Sequence, residues 1–211
     1  MKILAIYKQF GIYQGLAEHM LRVAAVAKQI GDSSPESFAV DSVVKAALVH
    51  DLGNIMKTKF EMGSDMFEPE GVEYYRTVQA EVAIKYGDDS TVATSNMIKE
   101  LNLSAEVITL TEATGGKAYQ RVAVEGDLNE KLMMYADMRV SPFAVTSLKE
   151  RFDDLETRAV PARYTLEAMT EWREVLNTFE EEIFSDLTIQ PEDINDQSCA
   201  AIIEELQNYE V

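Results

Sequence analysis

Residues 16–28 read LAEHMLRVAAVAK and residues 45–54 read KAALVHDLGN. In the first stretch Leu16, His19, Met20, Val23, Val26 and Ala27, followed by Ile30, recur at three- and four-residue spacing, which puts them on one face of an α-helix. Gly31 is the expected stop for that helix. Ser34-Pro35-Glu36 then offers an N-cap, a first-turn proline and an early acid, so a second helix is expected through Val40, Val43, Val44, Ala47 and Leu48. Gly53 is its expected end, just after Leu52. The two histidines of the chain, His19 and His50, both sit in these apolar helices.

The same periodicity continues outward. It predicts helices over 73–86, 89–101, 104–113, 128–139 and 143–182, the last broken near Val160-Pro161. Pro191-Glu192-Asp193 is expected to start a final short helix carrying Ile194, Ala201, Ile202 and Leu206. Residues 54–72, with Gly63, Pro69 and Gly71, read as an irregular connection. There is no strand-like alternation, so the expected fold is all-α. Within it, KLMMYADMRVSP (residues 131–142) sets Asp137 in an apolar helix, where an ionised carboxylate is costly without a partner.

Composition bounds the function. The 211 residues, 46% hydrophobic and 27% charged, are enough for one domain with an appendage. With 37 acidic against 19 basic side chains the net charge is −18, which repels phosphate backbones and anionic membranes. No basic cluster offsets that field, which excludes a nucleic-acid-coating or membrane-surface role. No apolar run approaches the ~18 residues of a membrane span, and MKILAIYKQFG is too short for a signal-peptide core, so a cytoplasmic protein is expected. Cys199 has no second cysteine to pair with and lies among acids, which raises a thiol's pKa, so it reads as a free, unreactive thiol. Residues 174–211 hold 11 acids and no Lys or Arg, whereas residues 1–173 carry a net −7. The expected division is therefore a helical domain over 1–173 and an acidic helical extension over 174–211. That extension is expected to pack Ile194, Ile202 and Leu206 on the body, and its loss to cost solubility or stability rather than metal binding. A homo-oligomer is left open.

The chemistry sits in the interruptions. A single imidazole on an apolar face is ordinarily a hydrogen-bonded core residue, and an isolated His-Asp pair arises by chance. Two imidazoles and two carboxylates together make a mixed N/O set suited to one divalent cation with positions left for water or substrate. Neighbouring residues on a helix point about 100° apart, so His50 and Asp51 converge on one ion only at a helix end. A cation so held lowers the pKa of water and polarises a phosphoryl oxygen, which suits phosphoester hydrolysis.

His19 in HMLRVAAV, His50-Asp51 in ALVHDLGN and Asp137 in YADMRV resemble the H…HD…D signature of the HD-domain superfamily of metal-dependent phosphohydrolases. The resemblance spans about residues 15–145 and implies a helical bundle around a single metal site. Its ligands would be His19, His50, Asp51 and Asp137, its metal one divalent ion (Mn, Co, Zn, Fe, Ni or Mg), and its substrate a phosphomonoester or nucleotide-like small molecule. Members with two metals use further histidines, which this chain lacks. Mononuclear relatives often carry a Glu three residues after the His-Asp pair; here that position is Asn54, and an amide is no general base. Asp51, with the metal itself, is then the expected catalytic group, the alternative being a carboxylate that reaches in from residues 61–73. Arg22, Asn54, Lys57 and Arg139 are the expected substrate contacts, Arg22 alternatively pairing with Asp51. Asn54 and the acidic extension also motivate a second reading, a non-catalytic HD-like module that binds metal or a nucleotide and reports to a partner.

Overall fold

In a computed structural model that describes residues 1–61, 64–158 and 164–211, the chain is all-α, with eleven α-helices among the described residues. α1 (Ile3–Gln9) leads into α2 (Gln14–Ser33), whose Met20, Val23, Ala24, Ala25, Val26 and Ile30 are fully buried. α3 (Val40–Val49) packs along α2. Gly31 does not end α2 but lies inside it. A Cβ there would stand 2.9 Å from Val40 Cγ2, so this glycine serves the close approach of two helices. Ser34 likewise caps the end of α2 rather than the start of α3: its hydroxyl meets that of Ser37 at 2.8 Å in a tight turn. α3 begins five residues after Pro35, where the Ala39 amide donates to Asn129 Oδ1 at 2.8 Å.

α3 ends at Val49, so the stop expected at Gly53 comes earlier, and Gly53 lies in the 3₁₀ turn Leu52–Lys57. Its amide donates to Thr94 Oγ1 at 2.9 Å, and an added Cβ would be 2.5 Å from both the Ser90 carbonyl oxygen and the Thr94 nitrogen. Gly53→Ala is therefore expected to destabilise the protein by about 3 kcal/mol, the upper range for overpacking, because backbone rather than a yielding side chain is in the way. Urea unfolding measures this; an unchanged midpoint would disprove the close contact.

α4 (Val72–Tyr86), α5 (Ser90–Leu101), α6 (Ala105–Glu112) and α8 (Leu128–Met138) lie within a residue or two of their expected limits. Side-chain caps set three of the starts. Asp89 accepts from the Thr91 and Val92 amides, Ser104 from Val107, and Asp127 forms a capping box with Glu130. α1 and α7 (Tyr119–Glu125) were not expected; at seven residues each they are too short to display a period. The expected 143–182 stretch is α9 (Leu148–Arg158) and α10 (Leu166–Phe184); the break at Val160-Pro161 lies outside the described residues, as does Gly63. The connection over 54–72 contains a second 3₁₀ turn, Ser64–Phe67.

α10 runs without interruption across residues 173 and 174. Pro191 opens a 3₁₀ turn, Pro191–Asp193, and α11 (Asp196–Leu206) follows from the N-cap Asn195. α11 packs on α2, burying Ile194, Cys199 and Leu206, while the acids of residues 191–211 face solvent. Burial, more than the neighbouring Asp196, pushes the Cys199 thiol up to about 11. Among the described residues no helix is long and apolar enough to cross a membrane.

Candidate metal centre

The end of α3 is what brings His50 and Asp51 together. His50 keeps helical dihedrals as the C-cap, and at Asp51 the backbone turns (φ −115°, ψ 18°) into the 3₁₀ segment, so the two side chains point into one space. His19 reaches that space from the N-terminal half of α2 and Asp137 from the last turn of α8, both helices that pack on α3.

Both imidazole Nε2 atoms face both carboxylates. His19 Nε2 is 3.7 Å from Asp51 Oδ2 and 3.3 Å from Asp137 Oδ1. His50 Nε2 is 3.6 Å and 3.5 Å from the same two oxygens. The donors of His19, His50 and Asp51 all lie within 4.8 Å of one another, and this group could hold a metal ion. Asp137 Oδ1, from α8, lies against both Nε2 atoms beside that group.

The orientation of His50 is fixed by its other nitrogen. Nδ1 lies 2.8 Å from the Ala47 carbonyl oxygen, which can only accept, so Nδ1 carries a proton and the neutral ring has its lone pair at Nε2. That Nε2 is buried and has no hydrogen-bond partner, an arrangement that is costly unless a cation or a proton occupies the space it faces. Burial opposes charging of the His50 ring, but the Asp51 and Asp137 carboxylates outweigh it and raise its pKa to about 9. Burial alone would raise the Asp137 carboxyl, yet the two adjacent imidazoles hold it well below the usual carboxylate range. The other three side chains are the more open: the His50 side chain is 1% exposed, against 13%, 18% and 21% for His19, Asp137 and Asp51. Two clefts of about 190 and 400 Å³ lie elsewhere and include none of these residues.

The expected substrate contacts divide. Arg22, one turn beyond His19, pairs with Glu18 at 3.2 Å and not with Asp51, because Glu18 sits four residues before it on the same helix; its Nη1 is buried without a partner. Asn54 is half-buried in the 3₁₀ turn, its amide N–H bonded to the Asp51 carbonyl at 2.9 Å. Lys57 is exposed at the end of that turn, near enough to Asp89 to add, with Lys117, to the lowering that the Val92 and Thr91 amides exert on that carboxyl. Arg139 is a correction. It is 3% exposed, and its guanidinium is committed to Thr146 O, to Tyr135 Oη at 2.6 Å, to Pro191 O at 3.0 Å and to Ile194 O at 2.9 Å. α8 ends at Met138, so the Arg139 side chain leaves the centre for the C-terminal segment.

Two groups at the centre escaped sequence reasoning. The Ala47 carbonyl is backbone and carries no residue signal. Tyr13, the N-cap of α2, is buried with its hydroxyl accepting from Thr58 Oγ1 at 3.3 Å; burial first, then the Asp51 charge, raise its phenol pKa, so it stays neutral. Its place six residues before His19 was visible, but its proximity to Asp51 depends on the fold of residues 51–58.

A family model described as HD domain matches residues 16–137, more than half of the chain. No curated protein and no solved structure matches it.

Proposed function

The chain belongs to the HD domain family, whose members are in general metal-dependent hydrolases, and from that membership we propose that it hydrolyses a phosphomonoester or a nucleotide-like small molecule. The observation that carries the reading is that each of two imidazole Nε2 atoms, His19 and the buried, unpartnered His50, lies 3.3–3.7 Å from both the Asp51 and the Asp137 carboxylate. His19, His50, Asp51 and Asp137 would hold one divalent ion, drawn from Mn, Co, Zn, Fe, Ni or Mg by the mixed N/O donor set. Such an ion supplies an acidified water and a polarised phosphoryl oxygen.

The chain's own groups do the rest. Ala47 O keeps the His50 ring in the tautomer that ligates. Asp51, the most exposed of the four, is the carboxylate placed to take a proton from the attacking water. Arg22, one turn beyond His19, and Asn54 and Lys57 of the 3₁₀ turn are the groups of the chain offered to a phosphate oxygen, Arg22 on a side-chain turn that frees its buried Nη1. The two ligating carboxylates would be balanced by a 2+ ion, so the strongly negative protein still offers an anionic substrate a site that does not repel it.

Asn54 in place of an acid favours the second reading, a binding module without turnover. A panel of nucleotides and phosphomonoesters with Mn²⁺, Co²⁺, Mg²⁺ and Zn²⁺ separates them. Phosphate release that disappears in Asp51→Ala supports the hydrolase, whereas tight nucleotide binding with no release from any substrate supports the module.

A further inference from the structure

Arg139 ties three parts of the chain together. Besides Tyr135 on its own helix it binds Thr146 O, in the turn that follows α8, and the carbonyls of Pro191 and Ile194 in the C-terminal segment. The same turn is fixed by Thr146 N to Arg139 O at 2.7 Å, and Val145 N donates to Asp196 Oδ1 at 2.9 Å. The C-terminal segment is held to α2 in its turn. Ser198 Oγ donates to Gln29 Oε1 at 2.9 Å, Gln29 Nε2 reaches Asp193 O at 3.4 Å, and Cys199 is buried beside them. Residues 191–199 thus bridge α2, which supplies His19, and the end of α8, two residues beyond Asp137.

We propose that Arg139 is a positioning residue for the metal centre. Resting on the metal-binding reading above, the clasp of Arg139, residues 191–199 and Gln29 sets the spacing of the α2 and α8 ligands. A planar guanidinium meets four acceptors in separate directions at once, which an ammonium on a flexible stem cannot reproduce. The segment that the sequence assigns to solubility and stability is by this reading part of what sets metal affinity, although none of its residues touches the ligands.

The test is the Mn²⁺ dissociation constant and the melting temperature of full-length Arg139→Lys and Gln29→Ala, compared with Phe152→Leu. Phe152 is a fully buried residue of α9, which packs on α10, and it serves as a destabilised control. The expected result is Mn²⁺ binding weakened about tenfold in Arg139→Lys, the size typical of residues that support ligands from behind, and severalfold in Gln29→Ala, with the control unchanged at a comparable fall in melting temperature. Gln29→Ala carries the test alone if Arg139→Lys does not fold. Wild-type affinity in the folded variants, or an equal loss in Phe152→Leu, overturns the clasp. A wild-type protein that takes up none of Mn²⁺, Co²⁺, Zn²⁺, Fe²⁺, Ni²⁺ and Mg²⁺ overturns the metal reading and the clasp with it, and if another of these ions binds where Mn²⁺ does not, the comparison is made with that ion, so the two failures are distinguishable.

Discussion

His50→Gln should bind divalent metal more than about a hundredfold more weakly than the wild type and lose phosphoester turnover to background while remaining folded. Groups behind the ligands alone are worth ten- to a hundredfold in affinity, and His50 is itself a ligand candidate. It is also the most deeply placed of the four, its ring set by Ala47 and its Nε2 without any other partner. A glutamine fills much of the same volume but offers an amide, a poorer donor, on a side chain that Ala47 no longer orients. Elemental analysis of protein purified without a histidine tag and calorimetric titration with Mn²⁺ measure the effect. Equal metal in wild type and variant, or turnover that survives both His19→Ala and Asp51→Ala, would remove the site from the mechanism.

Metal affinity should also rise steeply with pH. In the metal-free protein the two carboxylates keep His50 protonated to about pH 9, and a protonated imidazole is no ligand. An ion must displace that proton, so the apparent affinity should increase close to tenfold per pH unit, about seventyfold from pH 6.5 to 8.5. The stability of the metal-free protein should move the other way. A histidine whose folded pKa lies above its unfolded 6.5 contributes stability that is full below pH 6.5 and lost as pH rises through about 9, on the order of 3 kcal/mol. Calorimetry across that range, together with urea unfolding of chelator-treated protein, measures both. A pH-independent dissociation constant would mean that His50 does not exchange its proton for the ion.

Much of the site was legible in the sequence because its residues are rare or out of place. Two histidines in the whole chain, both in apolar helices, and a carboxylate at Asp137 where burial is costly, stand out from any background of exposed charge. The helices α5, α6 and α8 were legible for a similar local reason, since Asp89, Ser104 and Asp127 cap them within the sequence that they start. Gly31 and Gly53 were misread because a glycine that ends a helix and a glycine that lets two backbones approach look alike until the approaching atoms are known. In both cases those atoms belong to another helix, Val40 of the next one in the first, Ser90 and Thr94 of α5 in the second.

The sequence by itself determined the helical class, which polar residues interrupt the apolar helices and the sign of the protein's field, because periodicity, side-chain chemistry and charge are properties of residues and their neighbours. Tertiary structure alone decided which guanidinium donors are already spent. Arg22 keeps a nitrogen unpartnered one turn from His19, while Arg139, two residues from Asp137, spends its donors on Thr146, Pro191 and Ile194. The physical reason is that a guanidinium goes where its acceptors are, and backbone carbonyls 52 and 55 residues away become acceptors only when the chain has folded them against α8.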